Sequence, residues 1–192
     1  GNENLGKANA IIVAQDNVRT RMASDQFIAA MKSTVKASPA IALPVVTFDS
    51  TTTLHLNGED IRAIHVPPAH TDGDSIIVFT KANVIHMGDT FFAIGYPFVD
   101  LSSGGDVRGD VTAADKALAL GNATTRYIPG HGKVADRAGM TAYRDMLVAS
   151  IAAVDKAMAG GKTIEQVIAA KPTAPWDAQW GNGFIKPDDW VR

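Results

Sequence analysis

The sequence predicts a layered α/β domain in which helices pack on mixed or antiparallel sheets. Three observations carry this. A length of 192 residues with 46% hydrophobic character suffices for one core. The apolar spacing changes from helical to strictly alternating at Val45. The predicted elements run β-α, then several antiparallel strands, then α-β-α-α. No repeat, low-complexity tract or linker divides the chain, so residues 1–192 are expected to form a single domain.

Taken in order, Ile11-Ile12-Val13-Ala14 is an apolar run of the buried-strand kind, and Asp16 is placed to cap a helix. Val18, Met22, Phe27, Ala30, Met31 and Val35 then predict a loose amphipathic helix over Asn17 to Lys36, ended by Pro39 and Pro44. From Val45 the side chains alternate. Asn57-Gly58 joins Thr51 to Leu56 with Glu59 to Val66, and Asn-Gly between β-rich runs signals a hairpin because both residues tolerate positive φ. Ser75 to Phe79 and Val84 to Met87 read as two more strands, turned by Lys81-Ala82-Asn83. Val111 to Leu120 has helical spacing, Arg126 to Ile128 is a short strand, and Met140 to Met158 is a longer helix closed by Gly160-Gly161. Thr163 with Gln166 makes a capping box for a last helix through Ala170. The tail, with Trp176, Trp180 and Trp190, is expected to wrap over a surface.

Composition excludes several classes. Eighteen Lys and Arg against 20 Asp and Glu give a net charge of −2, with none of the basic clustering that grips a phosphate backbone, so no nucleic-acid partner is expected. Ser38 to Phe48 is too short and too Pro-broken to span a bilayer, which takes roughly 20 apolar residues. The expectation is a soluble protein without a membrane partner, cytoplasmic or periplasmic. With no Cys, any metal chemistry rests on His and carboxylate.

Three short motifs stand apart from the scaffold: Ala69-His70-Thr71-Asp72-Gly73-Asp74, His86-Met87-Gly88-Asp89-Thr90 and Pro129-Gly130-His131-Gly132. Each puts a His or Asp in a Gly- or Pro-flanked turn after a strand, where backbone can approach a ligand. Two imidazoles and one carboxylate form a partial shell suited to Zn²⁺, and equally to Fe or Mn. Singly, each is more often an ordinary polar residue; their joint placement at strand ends is what points to a shared site. Phe91, Phe92 and Tyr96, with Phe98, are read as an apolar mouth for substrate, with core packing as the alternative. Ser102 to Asp106 reads as a mobile loop beside it. His55, His65 and His86 fall in or at the ends of strands and are read as structural.

These motifs resemble the metallo-β-lactamase-fold hydrolases. A His in an (G/A)HT.GD turn, an Asp in a GD pair and a His in a PGHG turn are metal ligands there, matching His70, Asp89 and His131. The resemblance implies an αββα sandwich, with Asp89 bridging two metals, His70 completing the first site and His131 the second. It also implies hydrolysis of a small-molecule ester, thioester, lactam or phosphoester by metal-bound hydroxide. The family's HxHxDH run is absent, and it normally lies just upstream of a Gly-Asn such as Gly1-Asn2. The expectation is therefore the C-terminal two-thirds of such a fold, its N-terminal strands missing, with weak or no zinc binding and little or no activity alone. A non-catalytic binding or assembly module that has lost its metal site is the alternative. Uncovered apolar faces and an unpaired edge further predict a homo-oligomer, with exchanged elements as one route.

Overall fold

The computed structural model describes residues 1–192. Its centre is a five-stranded sheet. Strands β5 (Thr51–Leu56), β6 (Glu59–His65), β7 (Ser75–Phe79) and β8 (Val84–Phe92) pair antiparallel in sequence order. Then β9 (Arg126–His131) joins β8 in parallel. A parallel neighbour needs a crossover, supplied by helix α3 (Val107–Leu120). Asn57 and Gly58 take φ of 54° and 74°, the left-handed pair that a two-residue hairpin requires.

Helix α3 and the long helix α4 (Arg137–Met158) cover one face of this sheet. Ala113, Ala114 and Ala117 bring α3 close, and Met140, Tyr143 and Leu147 of α4 meet Ile64, Ile76, Ile85, Met87 and Tyr127 in one buried cluster. Near the other face a two-stranded parallel sheet, β1 (Val13–Gln15) with β4 (Val46–Phe48), bounds a cavity of about 250 Å³. Val13, Val18, Phe48, Leu54, Ile61 and Ile77 are among its mostly apolar lining. No helix is long and apolar enough to cross a membrane.

The long helix expected over Asn17 to Lys36 does not form. Helix α2 (Asp16–Met22) stops after two turns, and β2 (Gln26–Ile28) pairs antiparallel with β3 (Ser33–Val35). Asp25 breaks the helix by drawing the returning chain back: its carboxylate accepts from the Ala37 amide at 2.9 Å and Lys36 Nζ at 2.7 Å. The cap is Gln15, whose side chain accepts from the Asn17 amide, and Asp16 is the first helical residue.

Other differences are extensions. Strand β8 runs five residues past Met87 to Phe92, β9 reaches His131, and α3 and α4 begin at Val107 and Arg137, capped by Asp106 and Asp136. Helix α5 (Ile164–Ala169) carries the capping box of Thr163 and Gln166. The chain opens on an unforeseen short helix α1 (Asn2–Lys7). The tail holds α6 (Ala174–Trp180) and α7 (Pro187–Val191); Trp180 is buried and Trp190 stacks on Tyr96 at 5.1 Å.

Candidate metal centre

His70 sits in the turn after β6, which closes on itself. Thr71 donates through its amide and hydroxyl to the Asp74 carboxylate at 2.8 and 2.9 Å. The 100–106 segment straps the turn from outside: the amides of Asp100 and Asp106 donate to the carbonyls of His70 and Ala69 at 2.9 and 2.8 Å. Gly105 permits this, since a Cβ there would stand 2.5 Å from the His70 carbonyl oxygen. The loop expected to be mobile is thus stitched down, and the Asp100 carboxylate accepts from the hydroxyls of Ser102 and Ser103. From α2, Arg21 grips Asp72 with two bonds of 2.7 and 2.6 Å, which hold the Asp72 carboxyl below its usual range.

Asp89 is aimed by a bulge. Gly88 adopts φ of 57°, and the β8–β9 register shifts on both sides of it. A bulge re-aims a side chain that regular pleating would send elsewhere. His131 ends β9, stacked on Phe92 with centroids 4.8 Å apart. Gly130 clears room: a Cβ there would lie 1.9 Å from Asp89 Oδ1.

Three elements distant in sequence therefore bring His70, Asp89 and His131 together. Nε2 of each histidine lies 3.6 Å from the same atom, Asp89 Oδ2. Those separations are too long for hydrogen bonds. Two donors each about 2.1 Å from a tetrahedral ion would stand about 3.4 Å apart, so each pair has nearly that spacing. The three do not form a closed cage, and no group of three or more His, Asp or Glu side chains in the chain constitutes a complete metal-holding set. The arrangement is two donor pairs sharing one carboxylate.

His70 carries a further orienting contact, its Nδ1 lying 2.7 Å from the Phe98 carbonyl oxygen. Because a carbonyl only accepts, the proton is assigned to Nδ1, which leaves Nε2 with a free lone pair toward Asp89 in the neutral ring. A lone pair facing a carboxylate oxygen is unfavourable unless a cation or proton lies between them.

The other histidines stand apart: His55 pairs with Asp60, His65 Nδ1 donates to the Asp74 carbonyl, and His86 Nδ1 accepts from the Gly88 amide. Phe91 and Tyr96 are each 1% exposed, so they belong to the core rather than to a mouth; Phe92, 7% exposed, serves as the floor under His131. The aromatic side chains beside the cluster that reach solvent are Phe98 and, from the tail, Phe184. Reading by sequence missed the Phe98 carbonyl, Arg21 and Phe184. A carbonyl contact leaves no signal in a sequence, and Phe184 lies 53 residues beyond His131.

Helix α3 holds a buried carboxyl. Neither oxygen of Asp110 on α3 has a protein hydrogen-bond partner. Burial, then the charges of Asp74 and Asp106, push it well above the usual carboxylate range.

Residues 4–137 match the metallo-beta-lactamase superfamily. The chain belongs to that superfamily. Among solved structures it is similar to BLEG-1 B3 metallo-beta-lactamase, with 16% identity and a TM-score of 0.61 over 76% of this chain and 69% of that one. A metallo-beta-lactamase from Pontibacter korlensis is 15% identical, with a TM-score of 0.57 over 76% of this chain and 61% of that one. The inverting sec-alkylsulfatase Pisa1 from Pseudomonas sp. is 12% identical, with a TM-score of 0.68 over 98% of this chain and 36% of that one. At these identities the likeness shows the fold alone, an α/β architecture. The chain spans between 36% and 69% of the length of these three relatives. No curated protein matches it.

Proposed function

We propose that this chain carries part of the metal site of a metal-dependent hydrolase acting on a small molecule. His70, Asp89 and His131 would hold the ion, zinc first, with Fe and Mn suited to the same donors. The observation that carries this is the convergence of two imidazole Nε2 atoms on Asp89 Oδ2, each at 3.6 Å. The donor chemistry fits, because the Phe98 carbonyl fixes His70 in the tautomer that a metal ligand needs.

A divalent ion held there supplies a Lewis acid for the oxygen of the scissile bond and lowers the pKa of water toward about 7. The chain's own residues do the positioning. Asp89 is shared by both histidines, Phe92 fixes the plane of His131, and Gly130 leaves the carboxylate its space. The side chains of His70, Asp89 and His131 are 18%, 36% and 53% exposed, so the cluster opens toward solvent on the His131 side. An ester, thioester, lactam or phosphoester is the bond class; the neighbours' names add a sulfate ester. Three donors with no HxH pair bind weakly, and hydrolysis by these 192 residues alone is slow.

A second reading, a binding or assembly module without metal chemistry, draws on the absence of a closed three-donor group. Zinc titration against a chromophoric chelator separates the two. Binding that is lost in both His70→Ala and His131→Ala, with slow chelator-sensitive thioester hydrolysis, supports the hydrolase. Zinc affinity unchanged by both substitutions, or no binding, leaves the module. Self-association is part of either reading, since Val45, Val46 and Leu56 are exposed along β4, its approach and β5.

A further inference from the structure

The tail brings an aromatic side chain against Phe98, the ring that flanks His70. After α6 the chain doubles back across the segment 93–98 that follows β8. Tyr96 donates its amide to the Trp180 carbonyl at 2.8 Å and forms an antiparallel bridge with Ile185. Two glycines let the strands touch: a Cβ on Gly95 would stand 2.9 Å from the Gly183 Cα. This crossing fixes Phe184 beside Phe98, ring centroids 6.2 Å apart and edge to face. Phe98 in turn lies 5.6 Å from the His70 ring. On the His131 side, Ile94 Cγ2 would be 2.8 Å from a Cβ on Gly132, so it sits against the residue after His131.

Phe184 is 73% exposed and Ile94 55% exposed. A single exposed apolar residue is ordinary. Here Ile94 packs next to Gly132 and Phe184 lies one ring beyond Phe98, and an unbroken run of rings, His131, Phe92, His70, Phe98 and Phe184, leads from the donors to solvent.

Resting on the metal-site reading above, we propose that Phe184, with Phe98 and Ile94, is a specificity platform selecting substrates whose scissile group carries an apolar acyl or alkyl arm. The donors take the polar head of such a molecule and the platform takes water off its arm. Full burial of a methylene is worth about fourfold in affinity, so one-sided contact on the platform yields about twofold per methylene.

The test uses the zinc-loaded 192-residue chain and two hydroxamates, acetohydroxamate and hexanohydroxamate, titrated by calorimetry. Four added methylenes tighten binding about 16-fold at twofold per methylene. In Phe184→Ala that ratio falls to about fourfold or less, and Phe184→Leu restores most of it. Phe184 contributes no buried core surface, and matching circular dichroism of the variants checks the fold. An unchanged ratio in Phe184→Ala, with zinc and acetohydroxamate still bound, overturns the platform and leaves the metal reading standing. No zinc binding by the unsubstituted chain overturns both.

Discussion

Replacing Arg21 by alanine removes the two hydrogen bonds from its side chain to the His70 turn, leaving the one that Asn17 of α2 donates to the Asp72 carbonyl at 2.9 Å. The Nε and Nη2 atoms donate to separate oxygens of Asp72 at 2.7 and 2.6 Å, a bidentate fork. Hydrogen bonds to charged groups contribute about 1.5–3 kcal/mol each when well buried. These side chains retain 29% and 25% exposure, which discounts each to about 1 kcal/mol and the pair to about 2 kcal/mol. For a chain of this size the loss lowers Tm by about 5 °C. The pH dependence has a definite sign. Arg21 depresses the folded-state pKa of Asp72 below 3.8, so the contribution is whole above pH about 4 and is lost as pH falls through the depressed value. Thermal melts of wild type, Arg21→Ala, Asp72→Ala and the double variant at pH 7 and pH 3 measure it. Coupling of about 1–2 kcal/mol at pH 7 that is clearly smaller at pH 3 is expected. Because Asp72 is two residues from His70, zinc affinity in Arg21→Ala falls about threefold to tenfold, less than loss of a direct ligand partner. Coupling below about 0.5 kcal/mol, or coupling equal at both pH values, refutes the clamp.

Gly130→Ala drives a methyl to 1.9 Å from Asp89 Oδ1, so the carboxylate or the β8 backbone must move. Stability falls by about 2 kcal/mol and zinc affinity by at least about tenfold; wild-type values in melts and chelator competition would contradict the packing. Asp110→Asn concerns the raised pKa. The unfolded carboxyl ionises above pH about 4 while the buried one stays protonated, so wild-type stability declines from that pH toward the folded pKa. The asparagine variant lacks this slope, and urea titrations at pH 4 and pH 7 show the gap opening only at the higher pH; parallel curves count against it. Light scattering at micromolar concentration is expected to give at least twice the 20.2 kDa chain mass, and a monomer alone dismisses self-association.

Much of the fold is written in local signals. The hairpin at Asn57-Gly58, strand β7, the turn through Asn83 and the capping box at Thr163 each depend on residues within a few positions of one another, and each is found where its pattern lies. The stretch from Asn17 to Lys36 was misleading because its apolar spacing suits either period. Asp25 settles it by capturing Lys36 and Ala37, a contact over 11 and 12 residues. Burial was equally hidden: Phe91 and Tyr96 follow Asp89 as closely as Phe92 does, yet only Phe92 meets a histidine of the cluster.

The residues alone fixed which side chains can act as metal donors, because a motif is a short-range property; Asp89, expected in a turn after its strand, instead lies inside β8 at the bulge. The meeting of the three donors was decided by tertiary structure. The parallel placement of β9 against β8 and the bulge at Gly88 set Asp89 between His70 and His131. The tail's return across residues 93–98 put Phe184 beside Phe98. Both depend on packing between segments tens of residues apart, whose energy comes from surface buried in common and leaves no pattern along the chain.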